Sequence, residues 1–268
     1  MRRLWFHLLI IISLIALIVV LGAPVMDARS ARAPAPPVSR LRVAINIPAF
    51  RLDAFVDDSL VHSTPIAVGM PAFKSPRGDF AITSVEWNPW WIPPDSKWAK
   101  KEKVTPPGPA NPMGRVKINF HELYFLHGTP LDASIGSAAS HGCIRMHNAD
   151  AIALARLVME YGALRLSADD RARLAADSST KRIELDAVVP ISLRYDRVEM
   201  RGDTVVVYRD VYGIATRSIA AQLDSAFAAR GIDTASVDRN RIRSFTRSIA
   251  RRGNSALVAS LMRGSEAP

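Results

Sequence analysis

The sequence predicts a mainly β, β-sandwich-like domain with one helix after its only cysteine and a helical extension at its C-terminus. Three observations support this prediction. Short runs of β-branched and aromatic residues, separated by Gly, Pro and Asp turn signals, recur between residues 41 and 126. One apolar stretch with helical periodicity follows at residues 149–161. After residue 213 the pattern becomes helical and basic.

The β-branched runs predict the strands in chain order. Turn signals such as Asp57-Asp58 and Ser75-Pro76-Arg77-Gly78 separate several of them. The predicted strands are residues 41–47, 51–55, 60–68, 79–86, 116–120, 123–126, 182–189, 190–194 and 204–208.

The segment between the fourth and fifth strands contains most of the tryptophans. Residues 87–94 read WNPWWIPP and are too rich in proline for a central strand. Their tryptophans are expected either to pack in the core or to form the wall of a groove for an extended peptide. Residues 97–103 predict a short basic helix. Residues 104–112 must form a loop, which is a candidate lid.

Helix signals surround the stretch at residues 149–161. Asn148 is expected to be the N-cap, and Asp150 lies in the first turn, where the helix dipole favours an acidic side chain. Gly162 is expected to end the helix.

A basic, mostly helical extension is expected over residues 214–268. Its apolar residues Ile219, Leu223 and Phe227 have helical spacing, and arginines cluster between residues 239 and 252. This cluster is interpreted as a solvated helix face or as a contact with an anionic wall polymer or lipid. No zinc-finger or helix-turn-helix pattern is present, so nucleic acid is not an expected partner.

The N-terminus is expected to direct the chain to the cell envelope. Two arginines precede an apolar run at residues 4–21, whose length lies between a signal-peptide core and a membrane-spanning helix. Residues 1–30 are therefore interpreted as a signal peptide or an uncleaved anchor in the inner membrane, and residues 31–40 as an Ala/Pro-rich linker. Either interpretation places the rest of the chain in the periplasmic or extracytoplasmic space. The net charge of +10 favours an anionic partner.

The residue types needed for thiol chemistry lie together in residues 127–148, HGTPLDASIGSAASHGCIRMHN. Cys143 is the only cysteine, so an intramolecular disulfide is excluded. A thiol attacks as the thiolate and needs a base or a nearby cation, which His127 and His141 can provide. His127 follows a predicted strand, whereas His141 lies on the same face of an extended segment as Cys143. The residue pattern alone leaves both as candidate bases.

Three further residues of this window have expected roles. Gly142 allows a close approach of backbone and substrate, and its amide can join that of Cys143 in an oxyanion hole. Ser140 and Arg145 are expected to bind substrate. Ser140 can also tie down the loop through its hydroxyl, and Arg145 offers a planar fork for a substrate carboxylate.

His127, followed by Ser140-His141-Gly142-Cys143 and Arg145, resembles the catalytic motif of the L,D-transpeptidase (YkuD-like) family. Arg145 stands where many members have Asn. Residues 75–80, 87–94, 188–195 and 210–213 resemble segments of the larger periplasmic members, so the resemblance covers roughly residues 41–213, the expected catalytic domain.

The resemblance implies a peptidoglycan L,D-transpeptidase that needs no metal or cofactor. It implies that Cys143 is acylated by a stem tetrapeptide, that His127 is the base and that the Gly128 carbonyl orients its imidazole. It further implies that the Gly142 and Cys143 amides bind the oxyanion and that His141 lies in the pocket. The acceptor is a second stem peptide, giving a 3-3 crosslink, or an amine of a protein; water would make the enzyme an L,D-carboxypeptidase.

Two other classes are considered. A zinc site would use His127, His141 and Cys143, with a further ligand such as Asp132, His147 or His121, although no second cysteine is present. A non-catalytic wall-binding module would be favoured by loss of Cys143 or His127, but both are present.

Overall fold

The computed structural model describes residues 37–248 and 254–262. The predicted signal or anchor segment, residues 1–30, and most of the predicted linker lie outside these ranges. Within the two described ranges, no helix has both the length and the apolar character needed to cross a membrane.

Strands dominate the described residues, and the α-helices follow Cys143. The strands are β1 (Leu41–Asn46), β2 (Arg51–Val56), β3 (Ser59–Pro65), β4 (Val68–Gly69), β5 (Gly78–Trp87), β6 (Val116–Asn119), β7 (Phe125–Thr129), β8 (Ala138–Ser140), β9 (Ile144–His147), β10 (Lys181–Arg194), β11 (Val198–Arg201), β12 (Thr204–Val207) and β13 (Asn254–Leu257). The helices are α1 (Asn148–Gly162), α2 (Ala168–Ala176), α3 (Ile219–Ala229) and α4 (Arg239–Ser248).

Eight strands form one mixed sheet in the order β3-β2-β1-β10-β5-β6-β7-β9. Its parallel pairs are β1 with β10 and β7 with β9. Helix α1 packs against this sheet through buried residues such as Leu154, Val158 and Met159, and the buried indole of Trp87 donates to the Met159 sulfur over 3.1 Å. The mainly β class, with helices after the central strands, is confirmed.

The predicted strand at residues 60–68 is interrupted. β3 ends at Pro65, and Val68–Gly69 instead pairs in parallel with β8 outside the large sheet. Proline cannot donate to a strand ladder, so the chain leaves the sheet at this point. Strand β8, which pairs with β4, ends three residues before Cys143.

The strand predicted at residues 123–126 is shifted towards the C-terminus. β7 covers Phe125–Thr129, so His127 occupies its centre instead of following its end. β7 is paired on both sides, by β6 and by β9, and this pairing of segments distant in sequence extends the strand over His127 and Gly128.

Two helix predictions are corrected. The basic helix expected at residues 97–103 is only a 3₁₀ turn at Lys97–Ala99, since a short segment does not form a helix without a packed apolar face. Asn148 is the first residue of α1, after His147 at the N-cap, and its side chain accepts from the Arg115 amide (3.0 Å) and donates to the Thr129 carbonyl (3.1 Å). The Asn148 side-chain amide is therefore bonded to residues distant in sequence and does not cap the helix as predicted.

A second core lies at the C-terminal end. It is built from β11, β12, α3 and the residues that follow α3, and it buries Val205, Val207, Leu223 and Phe227. The helical spacing predicted for this region is confirmed. The second core contains residues from both sides of Gly213. Helix α2 and strand β13 have no counterpart in the sequence-based predictions.

Candidate active site

A cavity of about 280 Å³ lies over the end of the sheet that carries β7 and β9. It brings together five of the predicted site residues: His127, Ser140, His141, Cys143 and Arg145. The other two, Gly128 and Gly142, are chain neighbours of His127 and Cys143. Residues nearly twenty positions apart therefore meet in one pocket.

Cys143 lies in the short bend between β8 and β9. Its thiol donates weakly to the Leu123 carbonyl, with 3.9 Å between sulfur and oxygen. Burial raises the pKa of Cys143, and the Phe125 amide and the cations of Arg145 and Lys117 only partly oppose this effect. At neutral pH the residue is therefore a thiol, and it must give up a proton before or during attack.

His127 is buried at the centre of β7, and its Nδ1 lies 2.6 Å from the Gly128 carbonyl oxygen. A carbonyl only accepts, so Nδ1 carries the proton and donates it, which leaves Nε2 as an acceptor when the ring is neutral. Burial lowers the pKa of His127 to about 4, and Arg145 and Lys117 act in the same direction. The imidazole is thus neutral at pH 7 and can take a proton from a thiol.

A row of charged and polar side chains crosses the sheet at His127. In the strand register His127 pairs with Arg145 on β9 and with Lys117 on β6, and Lys117 pairs with Glu86 on β5. Directly paired residues have side chains on the same face of the sheet. Lys117 lines the pocket, its ammonium lies 3.0 Å from the Glu86 carboxylate and it sits over the Phe125 ring at 4.6 Å. Lys117 is not among the site residues predicted from the sequence, because its only local signal is its place in the alternating run VKINF.

Arg145 presents a partly buried cation to the pocket. Its backbone is anchored by two 2.9 Å hydrogen bonds with Ala67, and its guanidinium donates to the Ala139 carbonyl over 3.4 Å. Within the described ranges no carboxylate lies in ion-pair contact with it. A partly buried guanidinium without a counter-ion favours a bound anion.

Ser140 and Gly142 stabilise the bend around Cys143. The Ser140 hydroxyl donates to the Cys143 carbonyl (2.5 Å) and accepts from the Gly142 amide (3.0 Å), which agrees with its predicted tying role. Gly142 has φ +113°, and a Cβ there would come within 2.5 Å of the Tyr124 ring. Its amide is already used by Ser140 and is not available for an oxyanion in this conformation, contrary to expectation. No described residue accepts from the Cys143 amide.

His141 forms part of the pocket wall. Its ring stacks on Trp98 with 3.9 Å between centroids and 6° between planes, and Phe73 contacts it edge-on at 4.7 Å. Burial lowers the pKa of His141, with a further contribution from Arg145. Two aromatic rings therefore hold this imidazole in the pocket wall.

The tryptophan-rich segment divides between core and wall. Trp87 is fully buried, whereas Trp90, Trp91 and Trp98 line the pocket. Of the candidate lid at residues 104–112, only Pro112 reaches the pocket. Buried Asn111 fastens that loop by donating to the carbonyls of Pro89, Thr105 and Pro106.

Across residues 37–248 and 254–262, no group of three or more His, Cys, Asp or Glu side chains is arranged to hold a metal ion. His147, one of the further ligands considered, lies 2.7 Å from the Asp132 carboxylate.

The chain is similar to known proteins over this region. The YkuD family model, described as an L,D-transpeptidase catalytic domain, matches residues 40–207. The YkuD protein of Bacillus licheniformis, named as an L,D-transpeptidase, is 33% identical over 118 residues, which are 44% of this chain and 59% of that protein. The ErfK/SrfK protein of Escherichia coli, also named as an L,D-transpeptidase, is 35% identical over an alignment of 126 residues that covers 43% of this chain and 40% of that protein.

Among solved structures, an L,D-transpeptidase from Mycobacterium smegmatis is 16% identical, with a TM-score of 0.37 over 58% of this chain and 59% of that chain. The chain thus spans about half the length of the curated relatives that it matches.

Proposed function

Because the chain belongs to the YkuD family of L,D-transpeptidase catalytic domains, we propose that it is a peptidoglycan L,D-transpeptidase with Cys143 as nucleophile and His127 as base. One observation carries the assignment of the residues. The chain's only cysteine shares a pocket with a buried, neutral histidine whose Nδ1 is held by the Gly128 carbonyl, so that Nε2 can accept a proton.

Acylation begins when a stem peptide places the carbonyl of its L-centre to D-centre bond against Cys143. The thiol proton passes to Nε2 of His127 as the sulfur bonds to the carbonyl carbon. The Cys143 amide, which has no acceptor among the described residues, donates to the resulting oxyanion. As the C–N bond breaks, the imidazolium returns the proton to the departing D-amino acid, and a thioester remains.

Deacylation follows the same path in reverse with a new amine. The acceptor nitrogen attacks the thioester carbonyl, His127 takes its proton, and the C–S bond breaks with return of that proton to sulfur. An acceptor amine from a second stem peptide gives a 3-3 crosslink, and one from a protein attaches that protein to the wall. Water in place of the amine gives L,D-carboxypeptidase activity.

The pocket's two sides suit an extended peptide with a terminal carboxylate. Arg145 supplies a cation without a carboxylate partner, and Trp90, Trp91 and Trp98 supply an apolar wall. Arg145 therefore grips a stem-peptide carboxylate. Ser140 holds the loop that carries Cys143, since its hydroxyl donates to the Cys143 carbonyl and accepts from the Gly142 amide; its second acceptor lone pair remains open to a substrate N–H in the pocket.

The cellular assignment rests on the sequence and on the substrate. Peptidoglycan lies outside the cytoplasm, and residues 1–30 have the pattern of a signal peptide or anchor. The catalytic unit acts in the cell envelope, tethered to the inner membrane by residues 4–21 where these are retained. Residues 214–268 form a basic extension, and nucleic acid is not a partner.

The direct test uses the full chain in detergent with disaccharide-tetrapeptide muropeptides. Mass spectrometry would follow products of the wild-type protein beside Cys143→Ala and His127→Asn. Crosslinked dimers with released D-amino acid, lost in both variants, are the expected result. Tripeptide without dimers would identify a carboxypeptidase. Wild-type protein that leaves the substrate unchanged but retains it would favour a wall-binding module.

A further inference from the structure

We propose that Tyr212 and Ser75 are positioning residues that hold the peptide group carrying the oxyanion donor of Cys143. Tyr212 lies beyond residue 207, where the family match ends. Tyr212 belongs to residues 210–215, a short segment that we call the strap. The strap leads from the end of β12 back to the nucleophile loop, residues 141–143. The catalytic consequence rests on the proposed function, whereas the effect on the thiol itself does not.

The strap is fixed against the end of β10. The Asp210 carboxylate accepts from the Ile214 and Ala215 amides (3.1 and 3.0 Å) and from the Tyr195 hydroxyl (2.6 Å). The Tyr195 hydroxyl in turn accepts from the Tyr212 amide (2.7 Å), and the two tyrosine rings stack at 5.4 Å. These contacts leave the buried Tyr212 side chain little freedom.

From the strap, hydrogen bonds lead to the nucleophile loop through one serine. The Tyr212 hydroxyl accepts from the Ser75 amide over 3.1 Å. The Ser75 hydroxyl donates to the Gly142 carbonyl over 2.8 Å and accepts from the Gly69 amide over 2.9 Å. Both Tyr212 and Ser75 are buried, so water does not replace these contacts easily.

The Gly142 carbonyl and the Cys143 amide belong to the same planar peptide group. In a trans peptide the N–H points away from the C=O, so directing the carbonyl towards Ser75 directs the Cys143 N–H to the opposite side. Ser140 fixes the peptide groups on either side, through the Gly142 amide and the Cys143 carbonyl. The middle peptide group, which carries the proposed oxyanion donor, is fixed by Ser75.

The chain offers a matched control in Tyr208. It is partly buried, and its hydroxyl donates to Glu199 over 2.8 Å beside the second core. Tyr208→Phe and Tyr212→Phe both delete one hydroxyl and keep the ring. Only Tyr212 is connected to Gly142.

The experiment compares wild type, Tyr212→Phe and Tyr208→Phe in the full chain, with melting temperatures as the measure of folding. With the stem-peptide donor we expect Tyr212→Phe to lower kcat about ten- to a hundred-fold with little change in KM, since a small misplacement of a catalytic group acts on the chemical step. Tyr208→Phe should keep kcat close to wild type. Equal kcat values for the two variants at equal melting temperatures would overturn the proposal.

Alkylation by iodoacetamide provides a readout that needs no transpeptidase activity, because Cys143 is the only cysteine. A loosened Gly142–Cys143 peptide exposes the partly buried thiol further, so we expect Tyr212→Phe to alkylate at least about three-fold faster at pH 7, with Tyr208→Phe unchanged. If wild type does not act on stem peptides but this contrast holds, the proposed function fails and the strap stands. If wild type is active and neither kcat nor the alkylation rate differs between the variants, the positioning role of Tyr212 is rejected and the proposed function stands.

A double-mutant cycle joins the two positioning residues. Tyr212→Phe and Ser75→Ala act on the same peptide group, so the kcat of the double variant should equal that of the worse single variant. Fully multiplicative losses would show that Tyr212 acts on the reaction by a route that does not pass through Ser75, and would overturn the proposal.

Discussion

Lys117 and His127 lie directly opposite each other in the register of β6 and β7, which places the ammonium-bearing side chain and the imidazole on the same face of the sheet. The pocket therefore holds a lysine next to the proposed base, and Arg145 lies opposite the same histidine on its other side. Both cations disfavour the imidazolium and so help to keep His127 neutral.

Replacing Lys117 with Met should raise the pKa of His127. The substitution removes a cation that opposes protonation and leaves the Glu86 carboxylate without its partner, and both changes favour the charged ring. The acid limb of the pH profile of kcat/KM should therefore move to higher pH. Lys101→Met, at an exposed lysine outside this row, is the control. A profile that does not move in Lys117→Met would contradict this account.

The buried His127 should make the fold sensitive to acid. Its pKa is lowered from 6.5 to about 4, so the unfolded chain binds a proton in this interval and the native protein does not. The contribution of His127 to the free energy of unfolding is fully present above about pH 6.5. It falls by about 3 kcal/mol as the pH drops to about 4 and does not change further below that value. Urea unfolding at pH 7 and pH 4.5 measures the change. His127→Asn, which does not titrate, should lose less stability over the same range.

Gly142→Ala should cost more than a left-handed backbone alone explains. Gly136 also has a positive φ (+81°), but a Cβ there meets nothing within 4 Å, whereas a Cβ at Gly142 would come within 2.5 Å of Tyr124. Gly136→Ala therefore measures backbone strain, expected at about 1–3 kcal/mol. Gly142→Ala adds a steric clash beside the nucleophile. Both the free energy of unfolding, measured by chemical denaturation, and the acylation rate should be well below those of Gly136→Ala. Equal losses in the two variants would mean that the Tyr124 ring moves aside without an energetic penalty.

Arg145→Lys should weaken binding of stem peptides with a free terminal carboxylate. Lysine keeps the charge but loses the planar fork, so KM should rise about ten-fold or more while kcat changes less. A donor peptide amidated at that carboxylate gives the control, because the variant and the wild type should then bind it alike. If Arg145→Lys raises KM equally for both peptides, the guanidinium contacts another part of the substrate.

The residues of the proposed reaction could be predicted because most of them lie in one window. His127, Ser140, His141, Cys143 and Arg145 are of the types that thiol chemistry requires, and all five reach the pocket. The residue pattern left the base open between His127 and His141. The packing of Trp98 and Phe73 on His141 and the burial of His127 support the proposal that His127 is the base, and neither feature is visible in the local sequence.

By itself, the sequence determined the mainly β class, the helix after the nucleophile, the helical spacing of the C-terminal extension and the set of residues around Cys143. Local patterns of apolar residues, turn residues and thiol-chemistry residues contain that information. Only the tertiary structure decided that β7 extends over His127, that Lys117 stands beside it and that Tyr212 reaches Gly142 through Ser75. These features depend on strand register and on hydrogen bonds between segments far apart in the chain, and such pairings arise only when the whole sheet is assembled.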